Sequence, residues 1–274
     1  MMRKLSIFLT MALSAVVLLS GCGSSGSKGG SDTFKVGMEA GYAPFNWTQM
    51  DDSNGAVKME GNAEFAGGYD VEIAKRIAEG LGKELVIVKT EWTGLPPAVT
   101  SGKIDAIVAG MSPTPDRMET IDFSDNYYQS DLVMVVKTGG KFENAKTLDD
   151  FNGAKVTAQL NTFHYSVIEQ IEGVNKQTAM DDFPAMRVAL ESGVIDAYVS
   201  ERPEGLSASA ANSNFKMVEL EEGFVTAKDE TAIAVGIKKD SELTDKINEI
   251  LAGISEEERT EIMNMAIKNQ PAAK

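Results

Sequence analysis

The chain has 274 residues, 41 of them acidic and 26 basic, for a formal net charge of −15. That length suits two modest lobes or one large domain, and the acidity argues against a nucleic-acid partner, because a phosphate backbone is met by a basic surface. One Cys and one His in the whole chain exclude an intramolecular disulfide and leave no Cys/His cluster with metal-ligand spacing.

Arg3 and Lys4 precede a mostly apolar run from Leu5 to Leu19, followed by Ser20-Gly21-Cys22. A basic start, a short apolar stretch and small residues describe a secretory signal over residues 1–21, and the run is too short for a membrane span. Leu19-Ser20-Gly21-Cys22 resembles the bacterial lipoprotein box, which implies a lipid on Cys22 and attachment to the outer face of the cell membrane. Residues 22–32, rich in Gly and Ser, then form a flexible tether.

Phe34 to Met38 is expected as the first strand, followed by a turn-rich loop around Asp51 to Gly55. Asp70 is expected to cap a helix whose apolar face is Val71, Ile73, Ala74, Ile77, Ala78 and Leu81. Glu84–Val88 reads as a strand and Leu95–Thr100 as a helix. Leu132–Val136 is an apolar strand suited to crossing between lobes. Further strands are expected at Lys155–Ala158, Phe215–Leu220 and Thr231–Ile237. A helix from near Thr162 to about Gly173 and two C-terminal helices, near Glu242–Leu251 and Glu256–Ile267, complete the pattern. Strands alternating with helices predict mostly parallel sheets.

Ser101-Gly102-Lys103-Ile104-Asp105-Ala106-Ile107-Val108-Ala109-Gly110 returns as Ser192-Gly193-Val194-Ile195-Asp196-Ala197-Tyr198-Val199-Ser200-Glu201, with six of the ten positions identical. Each copy reads as the end of a helix, a Gly stop and a buried strand. Two copies suggest two similar α/β lobes. Ligands of open α/β sheets bind beyond the carboxyl ends of the strands, so the residues after these strands are the first candidates for a site.

No Gly-x-Ser-x-Gly elbow accompanies the single histidine, His164, and the Gly-rich stretches lack a phosphate-loop Lys. His164 falls in the first turn of a predicted helix and is read as an ordinary surface or rim residue. No catalysis, cofactor or metal is expected.

Gly68-Tyr69-Asp70-Val71-Glu72-Ile73-Ala74-Lys75-Arg76-Ile77-Ala78-Glu79-Gly80-Leu81 resembles the signature of the polar-amino-acid solute-binding proteins of ABC importers. Tyr42-Ala43-Pro44-Phe45, Ile121-Asp122-Phe123-Ser124, Ser101 to Asp105, and Ser112 with Arg117 match the same family, and the resemblance runs from about Phe34 to near the C-terminus. It implies the type II periplasmic-binding-protein fold: two α/β lobes joined by two crossing strands, with lobe 1 over 33–131 and 225–274 and lobe 2 over 132–224. It also implies a monomeric receptor that closes on an amino acid and delivers it to ABC permease subunits served by a cytoplasmic ATPase.

A zwitterion sealed from water needs a fixed cation for its carboxylate and fixed acceptors for its ammonium. Arg117 offers a planar fork to a carboxylate. By resemblance Arg117, Ser112 and Thr162 hold that carboxylate, while Gly110 and Glu201 face the ammonium. Glu201 stands where the family usually has Asp, and Ala109 where it often has a hydroxyl. Tyr42 and Trp92 occupy positions where the family places aromatics around the ligand's side chain, and Glu39 a position that meets its tip. A carboxylate there favours a cation or an amide donor and disfavours Glu or Asp as ligands. Ala158 leaves room for a long side chain, and Gln159 adds a polar contact. Arginine or lysine is therefore preferred to glutamine. An extracytoplasmic dehydratase on the same fold, with Glu39, Glu201 or His164 as acid or base, is a further alternative.

Overall fold

The computed structural model describes residues 32–271, and the signal at 1–21, Cys22 and nearly all of the tether lie outside them. From Asp32 onward the chain is one compact unit. Its first half contains strands β1 (Thr33–Met38), β2 (Gly41–Tyr42), β3 (Asn46–Gln49), β4 (Val57–Lys58) and β5 (Phe65–Gly67), then helix α1 (Tyr69–Gly80), β6 (Glu84–Lys89), α2 (Leu95–Ser101), β7 (Ala106–Ile107), α3 (Pro115–Met118) and β8 (Ile121–Gln129). There follow β9 (Leu132–Lys137), β10 (Lys155–Thr157), α4 (Phe163–Val167), β11 (Asn175–Lys176), α5 (Phe183–Ser192), β12 (Ala197–Glu201), α6 (Arg202–Ala211) and β13 (Phe215–Val218). The chain closes with β14 (Ala232–Lys238), α7 (Leu243–Ala252) and α8 (Glu256–Asn269).

Two five-stranded sheets, ordered β6-β1-β7-β14-β8 and β11-β10-β12-β9-β13, follow one plan, and a four-stranded sheet, β2-β3-β5-β4, flanks them. β1 runs parallel to β6 and β7, and β10 runs parallel to β11 and β12. The other half of each large sheet is antiparallel, through β14 in the first and β9 in the second. The expectation of mostly parallel sheets is corrected on this point. The chain leaves the first sheet along β8 and continues straight into the second as β9, so no crossover helix turns it back into parallel alignment.

The chain passes between the large sheets twice, through Ser130–Asp131 and through residues 219–231. Arg202 ties both links. Its N–H donates to the Asp131 carbonyl at 2.9 Å, and its guanidinium pairs with Glu219 and lies 3.9 Å from the Asp131 carboxylate.

The repeated unit has the same geometry in both lobes. Gly102 and Gly193 end α2 and α5 in the left-handed region, each at φ 76°, where a side chain would be strained. The carboxylates of Asp105 and Asp196 accept the backbone N–H groups of Lys35 and Lys155 at 2.8 and 2.9 Å. Each Asp thus fastens the start of its strand to the neighbouring parallel one.

Alternating apolar residues bury one core around Val36, Met38, Ile73, Ile77 and Ile107, and another around Val136, Phe151, Val156 and Val199. A fully buried side chain of this size contributes about 1.5–3 kcal/mol. Three local readings change. Asp70 does not cap α1: Gly68 holds that position, and Asp70 is buried in the first turn. The helix after Thr162 is short, passing into a 3-10 turn at Ile168–Gln170. Helix α6, rich in Ala, Ser and Gly with little apolar periodicity, has no counterpart in the sequence reading.

Candidate ligand-binding site

Glu39 follows β1, Tyr42 lies in β2, and Trp92 opens a 3-10 turn before α2. Gly110 and Ser112 follow β7, and Arg117 is in α3. From the second sheet, Gln159 follows β10, Thr162 precedes α4, and Glu201 ends β12. The carboxyl ends of parallel strands from both sheets therefore converge on one cleft.

These nine residues lie together, with the walls in contact. Tyr42, Trp92, Gly110, Ser112, Arg117, Gln159 and Thr162 border an internal space of about 10 Å³, close to the minimum for one water. Glu39 and Glu201 join them through side-chain bonds. The Gln159 amide donates to the Glu39 carboxylate at 3.1 Å, and the Tyr42 hydroxyl donates to Glu201. Tyr42 also stacks on Phe183, with ring centroids 4.3 Å apart. A wider cleft of about 640 Å³ opens beside Trp92, Arg117, Thr162 and Phe163.

Arg117 bridges the walls. Its guanidinium donates to the Ser112 carbonyl at 2.8 Å and the Asn161 carbonyl at 2.9 Å, and lies 5.0 Å from the centre of the Trp92 ring. Both terminal nitrogens of the planar fork are thus held by backbone carbonyls, one from each wall. Burial lowers Arg117 to about 10, opposed by the nearby Glu201 charge. Thr162 donates its hydroxyl to the Gln159 carbonyl at 2.7 Å, fixing the bend that leads into α4.

Burial pushes Glu39 up to about 7, partly offset by the Gln159 amide. Asp70, behind the site, is likewise raised to about 7 by burial, while donors on Asn46 and Tyr127 oppose the rise. The Gly110 N–H donates to the Tyr127 hydroxyl, which itself donates to Asp70. That relay holds the Gly110 N–H on the side of Tyr127 and Asp70. Gly110 is at φ +62°, and a Cβ there would lie 2.6 Å from Cε1 of Tyr42. The residue must be Gly for the backbone to come this close.

Phe163 and His164 also border the inner space; Phe163 was not assigned there from sequence, and His164 only in the dehydratase alternative. His164 is 5% exposed rather than at the surface, because the wall carrying Tyr42 and Arg117 covers it. The signal available was its position two residues after Thr162, in the first turn of the same helix.

Residues 34–267 match the bacterial extracellular solute-binding proteins, family 3. The chain belongs to this family. As a family 3 solute-binding protein it is 29% identical to the arginine-binding extracellular protein ArtP of Bacillus subtilis over 252 residues, covering 89% of this chain and 90% of that one. It is also 29% identical to the glutamine-binding protein GlnH of the same organism, covering 99% and 100%. Other relatives are named for histidine and L-cystine. Among solved structures, an amino acid ABC transporter substrate-binding protein from Streptococcus pneumoniae bound to L-arginine superposes with a TM-score of 0.76 at 25% identity, covering 86% of this chain and 94% of that one. The family 3 protein thus has the type II periplasmic-binding-protein fold. Among the described residues, no helix is long and apolar enough to cross a membrane.

Proposed function

We propose that this family 3 protein captures an L-amino acid with a cationic side chain, arginine or lysine, outside the cytoplasm and passes it to the permease of an ABC importer. Arg117, Ser112 and Thr162 receive the carboxylate, Glu201 and the Gly110 carbonyl receive the ammonium, and Tyr42 and Trp92 flank the side chain. The observation that carries the choice of ligand is the Glu39 carboxylate, buried in the cleft wall with one neutral amide as its side-chain partner. A cation attracts a buried carboxylate more strongly than the same pair in water, and it pairs a charge that is costly to leave buried alone. Relatives named or crystallised with arginine support the same choice.

Glutamine is the second reading, and the Gln159 contact favours it, because Glu39 already accepts from a carboxamide at 3.1 Å. Glutamate is disfavoured by like-charge repulsion. The receptor works as a monomer held to the membrane by a lipid on Cys22. Its lobes divide at 33–131, 132–224 and 225–274, and ligand stabilises the closed arrangement by touching both.

A thermal-shift screen followed by calorimetry tests this. Arginine and lysine raise the melting temperature by mass action, glutamine raises it less, and glutamate does not. A shift with glutamate and none with the other three would overturn the reading of Glu39. Arg117→Ala abolishes binding of every amino acid while the ligand-free protein keeps its melting transition, and unchanged affinity would remove Arg117 from the site.

A further inference from the structure

His164 is packed against Phe163, with ring centroids 4.4 Å apart, and neither of its ring nitrogens has a hydrogen-bond partner among the described residues. A neutral imidazole carries one donor and one acceptor, and leaving both unpaired in a buried place is costly. Its Nε2 lies 3.6 Å from Oε1 of Glu201. That oxygen is buried and also unpaired, whereas the other Glu201 oxygen takes the Tyr42 hydroxyl. Buried, unpartnered atoms from α4 and from the end of β12 thus face one another at the inner space.

We propose that His164 is a ligand-contact residue that shares the ligand's ammonium with Glu201, so that the site holds amino acids tightly only while the imidazole is unprotonated. The geometry is that of a two-point acceptor. An ammonium nitrogen about 2.9 Å from each atom, an ordinary hydrogen-bond length, sits between two acceptors 3.6 Å apart. Neutral Nε2 supplies one lone pair and Glu201 Oε1 the other, and the Gly110 carbonyl, assigned above to the ammonium, takes the third N–H. Protonation turns Nε2 into a donor. The imidazolium then pairs with Glu201 itself and repels the ammonium.

The charged groups around His164 are consistent with this. Glu201 faces it from β12, with Tyr42 from β2 bonded to that same carboxylate. Arg117 from α3 borders the same space. Asp70 and Tyr128 lie within electrostatic reach of Glu201.

This inference rests on the amino-acid reading above, and the test separates the two. The chain has one histidine, so in a preparation without a histidine tag its ring protons give a single titrating set in NMR. Saturation with arginine or glutamine lowers the titration midpoint of that ring by a pH unit or more. By linkage, calorimetric affinity for either amino acid falls by up to about tenfold per pH unit on acidification through that midpoint. His164→Gln removes that component, while the contribution of Glu39 persists in both proteins and cancels in the comparison. Parallel affinity profiles for the two proteins, or an unmoved ring titration, would overturn the assignment of His164 and leave the amino-acid reading standing. If His164→Gln does not fold, the ring titration of the unaltered protein decides alone. Absence of binding of arginine, lysine and glutamine at every pH would overturn that reading and this inference with it.

Discussion

The Gln159 amide reaches from the end of β10 to the Glu39 carboxylate at the end of β1, bonding the two walls of the cleft at 3.1 Å. A ligand whose side chain ends in donors competes with Gln159 for Glu39, and a cation competes better than an amide. Replacing Glu39 with Gln keeps the size and removes the charge. The expected outcome is a loss of tenfold or more in affinity for arginine and lysine, at least about 1.4 kcal/mol, with a smaller change for glutamine. Calorimetry with the three amino acids on Glu39→Gln checks this, and equal losses for all three would show that the charge does not select.

Glu39 and Asp70 also set a pH dependence of the fold. Both are raised to about 7 by burial, whereas unfolded carboxyls titrate near 4. Between those values the folded chain holds more protons than the unfolded one. The stabilisation linked to these groups is complete below the unfolded values and is lost as pH rises through 7, by roughly 4 kcal/mol for each group. Asp70→Asn removes one of these protonation sites. Its ligand-free melting temperature is expected to drop less between pH 5.5 and pH 7.5 than that of the unaltered protein. Identical slopes in thermal denaturation would take Asp70 out of this account.

Gly110 gives a steric test of the closed walls. A Cβ at this position would meet Cε1 and Cδ1 of Tyr42 at 2.6 and 3.0 Å. The Tyr42 ring cannot yield easily, because Phe45 and Phe183 pack against it. Gly110→Ala is therefore expected to destabilise the ligand-free protein by about 1–3 kcal/mol, through overpacking and positive-φ strain. It also moves the Tyr42 hydroxyl away from Glu201. A chemical-denaturation midpoint unchanged by the alanine would mean that the walls do not hold this contact in solution.

How far the sequence can be read depends on how local each cause is. The Ser-Gly-x-Ile-Asp-Ala unit is legible because its causes are local: a left-handed glycine ends a helix, and an Asp fastens the next strand. The β1 and β6 strands and the apolar face of α1 follow from periodicity in the same way. The antiparallel half of each sheet was not legible. β14 enters between β7 and β8 from more than a hundred residues away, and no window of sequence contains that pairing. The site shows the same division. Motif order brought out Arg117, Ser112 and Glu39, whereas the burial of His164 depends on a wall built from another part of the chain. Asp70 was misread because a carboxylate at a helix start looks like a cap until Asn46 and Tyr127 are found donating to it.

The two links between the large sheets are unequal. Only Ser130 and Asp131 separate β8 from β9, whereas residues 219–231 join β13 to β14. Two residues reach roughly 7 Å at full stretch, so the short link holds the two sheets together like a pin. Arg202 grips the pin through the Asp131 carbonyl and the long link through Glu219. It is also the residue that follows Glu201. The residue that ties both links together therefore stands one peptide bond away from a carboxylate facing the cleft.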